Sequence, residues 1–202
     1  MILTYISLIS GLIGIKSAYE GKIGAAVCCL IVSGICDMFD GVVARSKKDR
    51  TEDEKNFGIQ LDSLCDVVCF GVFPAILLYF MGVDSKLGVA ILMFYVLCAV
   101  IRLAFFNVLE MKRQMTESGC AKGYRGLPVT SASIIFPFFY IVSLIVDWSG
   151  IQIIFHVLPL LTGVLFISDF HVPKFNVALV LNKLFPKKHK EQEEEACFEN
   201  IT

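Results

Sequence analysis

Long runs of apolar residues, separated by short polar breaks, make up most of the chain. A helix that crosses the hydrocarbon core of a bilayer needs about 20 apolar residues, and each run approaches that length. Glycines and polar side chains mark the breaks at Glu20-Gly21, Gly82-Val83-Asp84 and Ser149-Gly150. The pattern predicts an all-α, polytopic integral membrane protein with six transmembrane helices, at about 1–17, 22–45, 58–82, 86–111, 127–147 and 150–168.

Composition supports this fold class. The 202 residues are 56% hydrophobic, which excludes an ordinary soluble domain. Six of the eight cysteines fall in apolar runs, where a thiol behaves as a small buried hydrophobe, so we expect reduced, structural cysteines. The first run has no basic leader and is interpreted as a membrane helix rather than a cleaved signal. We expect one membrane domain, residues 1–186, a charged cytoplasmic tail, residues 187–202, and no nucleic-acid partner.

Lysine and arginine are unevenly distributed between the two sides of the predicted membrane domain. Thirteen of them fall in the loops after the second and fourth helices and in the C-terminal stretch, whereas three fall on the opposite side. Positive charge accumulates on the cytoplasmic side of membrane proteins. The distribution therefore predicts a multi-pass protein of the cell membrane with both termini and both long loops in the cytoplasm.

Four aspartates interrupt the second and third apolar runs. A carboxylate within a membrane segment costs roughly 2.5 to 3.5 kcal/mol even on lenient insertion scales, so four together require compensation. They lie in the frame Asp37-x2-Asp40-Gly41-x2-Ala44-Arg45, twelve residues, then Gly58-x3-Asp62-x3-Asp66. In the predicted topology both groups occupy the cytoplasmic ends of neighbouring helices. The cluster is therefore the candidate functional site and is expected to face the cytoplasm.

The spacing places these residues on two helix faces. Asp37, Asp40, Gly41 and Ala44 are spaced i, i+3, i+4, i+7, and Gly58, Asp62 and Asp66 are spaced i, i+4, i+8. Oxygen ligands without His or Cys suit hard cations such as Mg²⁺, Mn²⁺ or Ca²⁺. The small residues leave room for a ligand between the helices. The alternative is that the acids only reach the membrane interface, with Asp62 paired to Arg45 or Arg102, but it does not explain the shared faces.

At these residues the chain resembles the CDP-alcohol phosphatidyltransferases, which are membrane enzymes of phospholipid synthesis. All eight fixed positions of the family signature are present, and only the spacer differs, with twelve residues where eight are usual. We expect a longer cytoplasmic loop to absorb the four extra residues. The resemblance implies six transmembrane helices, a homodimer and a polar cavity that opens to the cytoplasm.

The resemblance also implies roles for the signature residues. Two divalent cations, Mg²⁺ or Mn²⁺, would be held by Asp37, Asp40 and Asp62. Asp66 would be the general base and could also contact a metal. The donor lipid, CDP-diacylglycerol or a CDP-archaeol-type lipid, would be bound by four further signature residues: Gly41, Ala44, Gly58 and Arg45, the last near the diphosphate.

Two further polar segments bear on the acceptor alcohol. Arg102-Leu103-Ala104-Phe105-Phe106-Asn107 and Gly126-Leu127-Pro128 resemble stretches of the phosphatidylserine synthase branch of the family, although Phe105 replaces a common arginine. This resemblance predicts L-serine as the acceptor. A guanidinium suits its carboxylate, and amide or hydroxyl groups suit its amine and hydroxyl. The residues expected to bind it are Arg102, Asn107, Arg125, Thr130 and Ser131.

Alternatives remain for these residues and for the whole site. Arg102 could instead neutralise the acids or contact a lipid phosphate, and the Thr130 and Ser131 hydroxyls could bond to their own helix. The same chemistry could use glycerol 3-phosphate or inositol phosphate as acceptor. A divalent-cation transporter is the alternative of another class, but it would require acids near the bilayer midplane on discontinuous helices.

Overall fold

The protein was analysed as a computed structural model. It describes the backbone of residues 2–46, 51–115, 124–125, 127–145, 150–168 and 171–172, and the side-chain surroundings of residues 2–40, 51–111, 127–145, 150 and 152–168. The predicted tail, residues 187–202, lies outside the described residues.

Helices account for nearly all of the described chain, as predicted. In chain order they are α1 (Ile2–Tyr19), α2 (Ile23–Ser46), α3 (Glu52–Asp66), a π-helical segment (Val67–Val72), α4 (Phe73–Phe80), α5 (Lys86–Met115), a 3₁₀ turn (Val129–Ser131), α6 (Ala132–Ile145) and α7 (Ile151–Ile167). A two-residue antiparallel pair, β1 (Tyr124–Arg125) with β2 (His171–Val172), is the one departure from an all-α fold among the described residues.

Each predicted apolar run forms a helix, and the third run comprises α3, the π segment and α4 in continuous succession. Four stretches are long and apolar enough to cross a membrane, namely Ile2–Tyr19, Ile23–Asp40, Glu52–Phe80 and Lys86–Met111. The apolar helices Val129–Ile145 and Gln152–Ile167 are shorter. The structure therefore has the character of a membrane-embedded helical protein.

Two tight turns join neighbouring helices at predicted breaks. Gly21, between α1 and α2, has φ of 76°, and Gly82, between α4 and α5, has φ of 106°. Left-handed backbone of this kind favours glycine because it has no Cβ atom. Such short connections bring consecutive helices together as antiparallel neighbours, and α1 packs extensively along α2.

The expected start of the third helix near Gly58 was wrong. Helix α3 begins at Glu52, because Thr51 forms a capping box in which its hydroxyl accepts from the Glu54 amide and the Glu54 carboxylate accepts from the Thr51 amide. Part of the extended spacer is therefore helix rather than loop. Asp62 lies ten residues into α3, roughly 15 Å from its start, and not in its first turns.

The wider π turn begins immediately after Asp66. Its hydrogen bonding includes the Phe73 amide donating to the Val68 carbonyl, five residues back. Pro74 follows, and its ring supplies no amide proton for the Phe70 carbonyl four residues earlier. The Tyr95 hydroxyl of α5 donates to that carbonyl instead, at 2.5 Å.

The core forms where small residues let the helices approach. The buried face of α1 carries Gly11 and Gly14, which lie against Cys69 and the Phe73 ring. On α2, Gly34 meets the Ser133 side chain of α6. Of the six cysteines predicted to be buried and structural, Cys65, Cys69 and Cys98 are buried, Cys29 and Cys36 are half-buried, and Cys28 is exposed.

Candidate active site

Three of the four aspartates converge where α2 meets α3. One carboxylate oxygen from each of Asp37, Asp62 and Asp66 lies within 4.8 Å of the other two. Asp37 and Asp66 approach closely enough for their carboxyl groups to hydrogen-bond with each other. Asp66 is the most buried of these three, with 8% of its surface exposed. The helix faces read from the sequence thus bring together carboxylates that are 29 residues apart in the chain.

Asp40 lies beside this group, and its side chain is held from a different direction. It is buried, and one carboxylate oxygen accepts a hydrogen bond from the Thr4 hydroxyl of α1. Three residues along an α-helix turn the side-chain direction by about 300°, so Asp37 and Asp40 diverge by about 60°. Asp40 remains within electrostatic range of Asp37 and Asp62.

Hydroxyl groups fix α1 against α2 just beyond the acids. The Ser7 and Ser33 hydroxyl oxygens are 2.7 Å apart, and each hydroxyl also contacts the other residue's carbonyl oxygen, at 3.1 and 3.2 Å. The Cys69 thiol of the π segment donates to the Ser7 carbonyl at 3.5 Å. These contacts join α1, α2 and the segment that follows Asp66 into one buried polar junction.

The signature residues expected to bind the CDP group belong to the same two helices, α2 and α3. Gly41, Ala44 and Arg45 lie in the last turns of α2, outside the described side chains. Gly58 lies in α3, one turn before Asp62, and a Cβ atom added there would meet nothing within 4 Å. Open space therefore adjoins α3 at the position where the family signature has glycine.

Asn107 ties α5 to α3 beside the acids. Its side-chain oxygen accepts from the Ser63 hydroxyl at 2.6 Å, and its amide nitrogen donates to the Gln60 side chain at 3.4 Å. Ser63 is the neighbour of Asp62 in the chain. The structure therefore places this predicted acceptor residue against α3, in contact with the chain neighbour of Asp62, and engages both ends of its amide.

The remaining predicted acceptor residues surround the entry to α6. Arg102 is buried, and its Nε–H donates to the Leu127 carbonyl at 3.1 Å. Thr130 and Ser131 form the 3₁₀ turn, in which the Ser131 hydroxyl donates to the Pro128 carbonyl at 2.7 Å. Arg125 lies in β1, and its side chain is outside the described residues.

This entry segment approaches α2 close to the acids. The Ser133 hydroxyl donates to the Thr130 carbonyl at 2.7 Å, and its side chain lies against Gly34. A Cβ atom at Gly34 would come within 2.1 Å of the Ser133 oxygen, so only glycine permits this approach. Because Gly34 is three residues before Asp37, the turn that contains Thr130 and Ser131 is held within about one helical turn of Asp37 along α2.

The donor set fits a hard divalent cation. Metal–oxygen bonds to Mg²⁺ or Ca²⁺ are about 2.0 to 2.6 Å long, so two oxygens on one ion lie at most roughly 5 Å apart. The three carboxylate oxygens satisfy that limit. Several acids gathered in a desolvated place also repel one another, and this repulsion favours a bound cation.

The sequence interpretation missed the hydrogen-bonded residues at the contact between α1 and α2. Thr4, Ser7 and Ser33 were not predicted to matter, yet all three are buried and hydrogen-bonded near the acids. Their signal is present in hindsight, because Thr4, Ser7, Gly11 and Gly14 follow one helical face of small residues. A small-residue face of this kind indicates close helix packing without revealing which side chain lies opposite.

The fold and the site define a helical membrane protein with an oxygen-only acidic site between two of its helices. Residues 1–165 match the CDP-alcohol phosphatidyltransferase family, and the chain belongs to that family. The resemblance drawn from the aspartate signature is thereby confirmed.

Individual relatives are similar over most of the chain. The archaetidylserine synthase of Methanothermobacter thermautotrophicus is 33% identical over 174 residues, which are 86% of this chain and 68% of the relative. The CDP-diacylglycerol–serine O-phosphatidyltransferase of Methanocaldococcus jannaschii is 34% identical, over 77% of this chain and 65% of the relative. The Helicobacter pylori protein of the same name is 29% identical, over 89% of this chain and 73% of the relative. No solved structure gives a significant match.

Proposed function

We propose that the protein transfers the phosphatidyl group of a CDP-activated lipid to the hydroxyl of L-serine, releasing CMP and forming a phosphatidylserine-type lipid. The observation that carries this proposal is the group of three carboxylates from α2 and α3 within 4.8 Å of one another, formed by the aspartates of the family signature. Relatives named for serine as the acceptor support the choice of alcohol. The donor is CDP-diacylglycerol or its ether-linked, CDP-archaeol-type counterpart.

In this proposal Asp37, Asp40 and Asp62 hold two divalent cations, Mg²⁺ or Mn²⁺, and Asp66 contributes an oxygen to the same site. The cations supply charge neutralisation at the diphosphate of the donor. Phosphoryl-type transfer depends mainly on positioning and electrostatics, so the protein needs no covalent intermediate. The tight grouping of the carboxylates and the burial of Asp40 and Asp66 suit such a site.

Asp66 is the general base. Its carboxylate takes the proton of the serine hydroxyl as the oxygen forms a bond to the lipid-proximal phosphorus. The bond from that phosphorus to the oxygen of the departing CMP breaks. A buried carboxylate suits this role because water is excluded and its position is fixed by α3.

Substrate binding is assigned to the residues around this site. Gly41, Ala44 and Gly58 accept the CDP group closely, and Arg45 pairs with its diphosphate. Arg102 and Arg125 pair with the serine carboxylate, and Asn107, Thr130 and Ser131 contact its polar groups. The Nε–H of Arg102 donates to the Leu127 carbonyl, so its guanidinium is anchored at the entry to α6.

We propose six transmembrane spans, with α6 and α7 as the two shorter ones. The cavity opens to the cytoplasm of a cell-membrane protein, because the basic loops and tail fall on the side of the acids. Residues 1–186 form the membrane domain, and residues 187–202 form a cytoplasmic tail. A homodimer completes the proposal and rests on the resemblance to the family.

The test is CMP release by the purified protein with Mn²⁺ and either the diacyl or the ether-linked CDP lipid. L-serine, glycerol 3-phosphate and inositol phosphate are compared as acceptors. Serine-dependent release with a serine-containing lipid product, abolished by a chelator, is the expected result. Release with a phosphorylated acceptor alone would overturn the assignment of serine. No release with any acceptor, in protein shown by circular dichroism to be helical, would overturn the transferase assignment.

A further inference from the structure

Helix α1 presents one face of small residues to the rest of the protein. Its buried positions are Thr4, Ser7, Gly11, Gly14 and Ala18. The two glycines and the serine account for close packing, because they face Cys69, Phe73 and Ser33. Thr4 differs from them because its hydroxyl donates to a carboxylate of the acidic site.

The contact between Thr4 and Asp40 is buried on both sides. Thr4 is 5% exposed and Asp40 is 7% exposed. A hydrogen bond between a hydroxyl and a carboxyl group is strengthened by such low-dielectric surroundings and is directional. It constrains the rotation of the Asp40 carboxylate plane about its side-chain bond.

We propose that Thr4 is a positioning residue for the metal site. Its hydroxyl holds one oxygen of Asp40 so that the other is presented toward Asp37 and Asp62. This inference rests on the proposed function, in which Asp40 is a metal ligand. Because Asp40 diverges by about 60° from Asp37 on α2, a contact from α1 supplies an orientation that α2 does not provide.

Attachment of α1 does not depend on this hydroxyl. Ser7 and Ser33 already join α1 to α2 through reciprocal hydrogen bonds one turn further along. The packing of Gly11 on Cys69 and of Gly14 on Phe73 holds α1 as well, so loss of either the Thr4 or the Ser7 hydroxyl should leave the helix in place. Only loss of the Thr4 hydroxyl should disturb Asp40. Outer groups that orient metal ligands commonly contribute 10-fold to 100-fold in metal affinity.

The experiment measures Mn²⁺ binding by the purified protein, from the electron paramagnetic resonance signal of free Mn²⁺, together with the Mn²⁺ dependence of CMP release. Three variants are compared with the wild type. Thr4→Val keeps the shape of the side chain and removes the hydroxyl, Thr4→Ser keeps the hydroxyl, and Ser7→Ala removes a neighbouring hydroxyl of the same helix face. Circular dichroism melting checks that each variant is folded.

We expect Thr4→Val to weaken Mn²⁺ binding about tenfold and to raise the Mn²⁺ concentration for half-maximal activity by a similar factor. Thr4→Ser and Ser7→Ala should stay within about twofold of the wild type. If Thr4→Val bound Mn²⁺ as tightly as the wild type, the role of Thr4 would be overturned while the proposed function stayed intact. The same conclusion would follow if Ser7→Ala weakened Mn²⁺ binding as much as Thr4→Val does. A wild type that binds no Mn²⁺ would overturn the metal site itself and Thr4's role with it.

Discussion

The Tyr95 hydroxyl of α5 donates a 2.5 Å hydrogen bond to the backbone carbonyl of Phe70, inside the π segment that follows Asp66. The α-helical donor to this carbonyl would be residue 74, which is proline and has no amide proton. Tyr95 is fully buried and supplies the missing donor. A side chain from another helix therefore contributes a hydrogen bond to the π segment that follows Asp66.

Removing this donor should destabilise the protein. Tyr95→Phe leaves a buried carbonyl without this partner, at a cost of about 1 to 3 kcal/mol. We expect a lower apparent melting temperature in detergent, measured by circular dichroism. The matched control is Tyr79→Phe, the same chemical change at a side chain that is 43% exposed. Equal melting temperatures for the two variants would contradict the structural role of the Tyr95 hydroxyl.

The packing of α1 gives a second prediction. A Cβ atom at Gly14 would lie 2.2 Å from the ring of Phe73, which is fully buried and has little room to move. Gly14→Ala should therefore destabilise the protein by about 1 to 3 kcal/mol. In Gly24→Ala the added atom meets only the Tyr140 hydroxyl, at 3.6 Å, so stability should hold or rise. Thermal unfolding of both variants checks this, and a lower melting temperature for Gly24→Ala alone would contradict it.

A third prediction concerns the extended start of α3. Thr51→Ala removes the side-chain acceptor of the Glu54 amide, and helix caps of this kind contribute about 1 kcal/mol. We expect faster hydrogen exchange in the first turn of α3, measured by mass spectrometry. Lys55→Ala, in the same exposed turn, leaves the capping box intact and should not change exchange at Glu54. Unchanged exchange in Thr51→Ala would show that the box does not hold this turn.

Much of the fold could be predicted because helices in apolar surroundings depend on long apolar runs, which are visible in the sequence. The start of α3 was missed because the polar residues before Gly58 suggested a loop, although Thr51-x-x-Glu54 is a capping-box pattern. The π segment was also missed. Pro74 marks a backbone irregularity, but its compensation by Tyr95 depends on tertiary packing between α5 and the π segment.

In the candidate site, too, some features could be predicted from residue spacing and others depend on tertiary packing. Spacing on two helices predicted that all four aspartates would converge, and the structure brings together Asp37, Asp62 and Asp66. Asp40 has different surroundings from Asp37 because side chains at positions i and i+3 of an α-helix diverge by about 60°. Its partner Thr4 could not be predicted, because a threonine in an apolar run is compatible with many environments and the contact spans 36 positions.

A fourth prediction tests acceptor binding. Arg102→Lys keeps the positive charge but loses the planar two-point geometry and the Nε donor to Leu127. If Arg102 binds the serine carboxylate, KM for serine should rise about tenfold or more, with KM for the CDP lipid within about twofold. Steady-state kinetics with each substrate varied in turn measures both constants. A rise confined to the CDP lipid would instead place Arg102 at the donor diphosphate.

The central claim, that the aspartate cluster carries serine phosphatidyl transfer with Asp66 as base, is tested most directly by incorporation of labelled L-serine into lipid. Wild type is compared with Asp66→Asn and with Asp84→Asn, the same change in the exposed turn before α5. We predict a loss of about 100-fold or more for Asp66→Asn, as expected for removal of a general base, and wild-type activity for Asp84→Asn. Near-wild-type incorporation by folded Asp66→Asn would contradict the account.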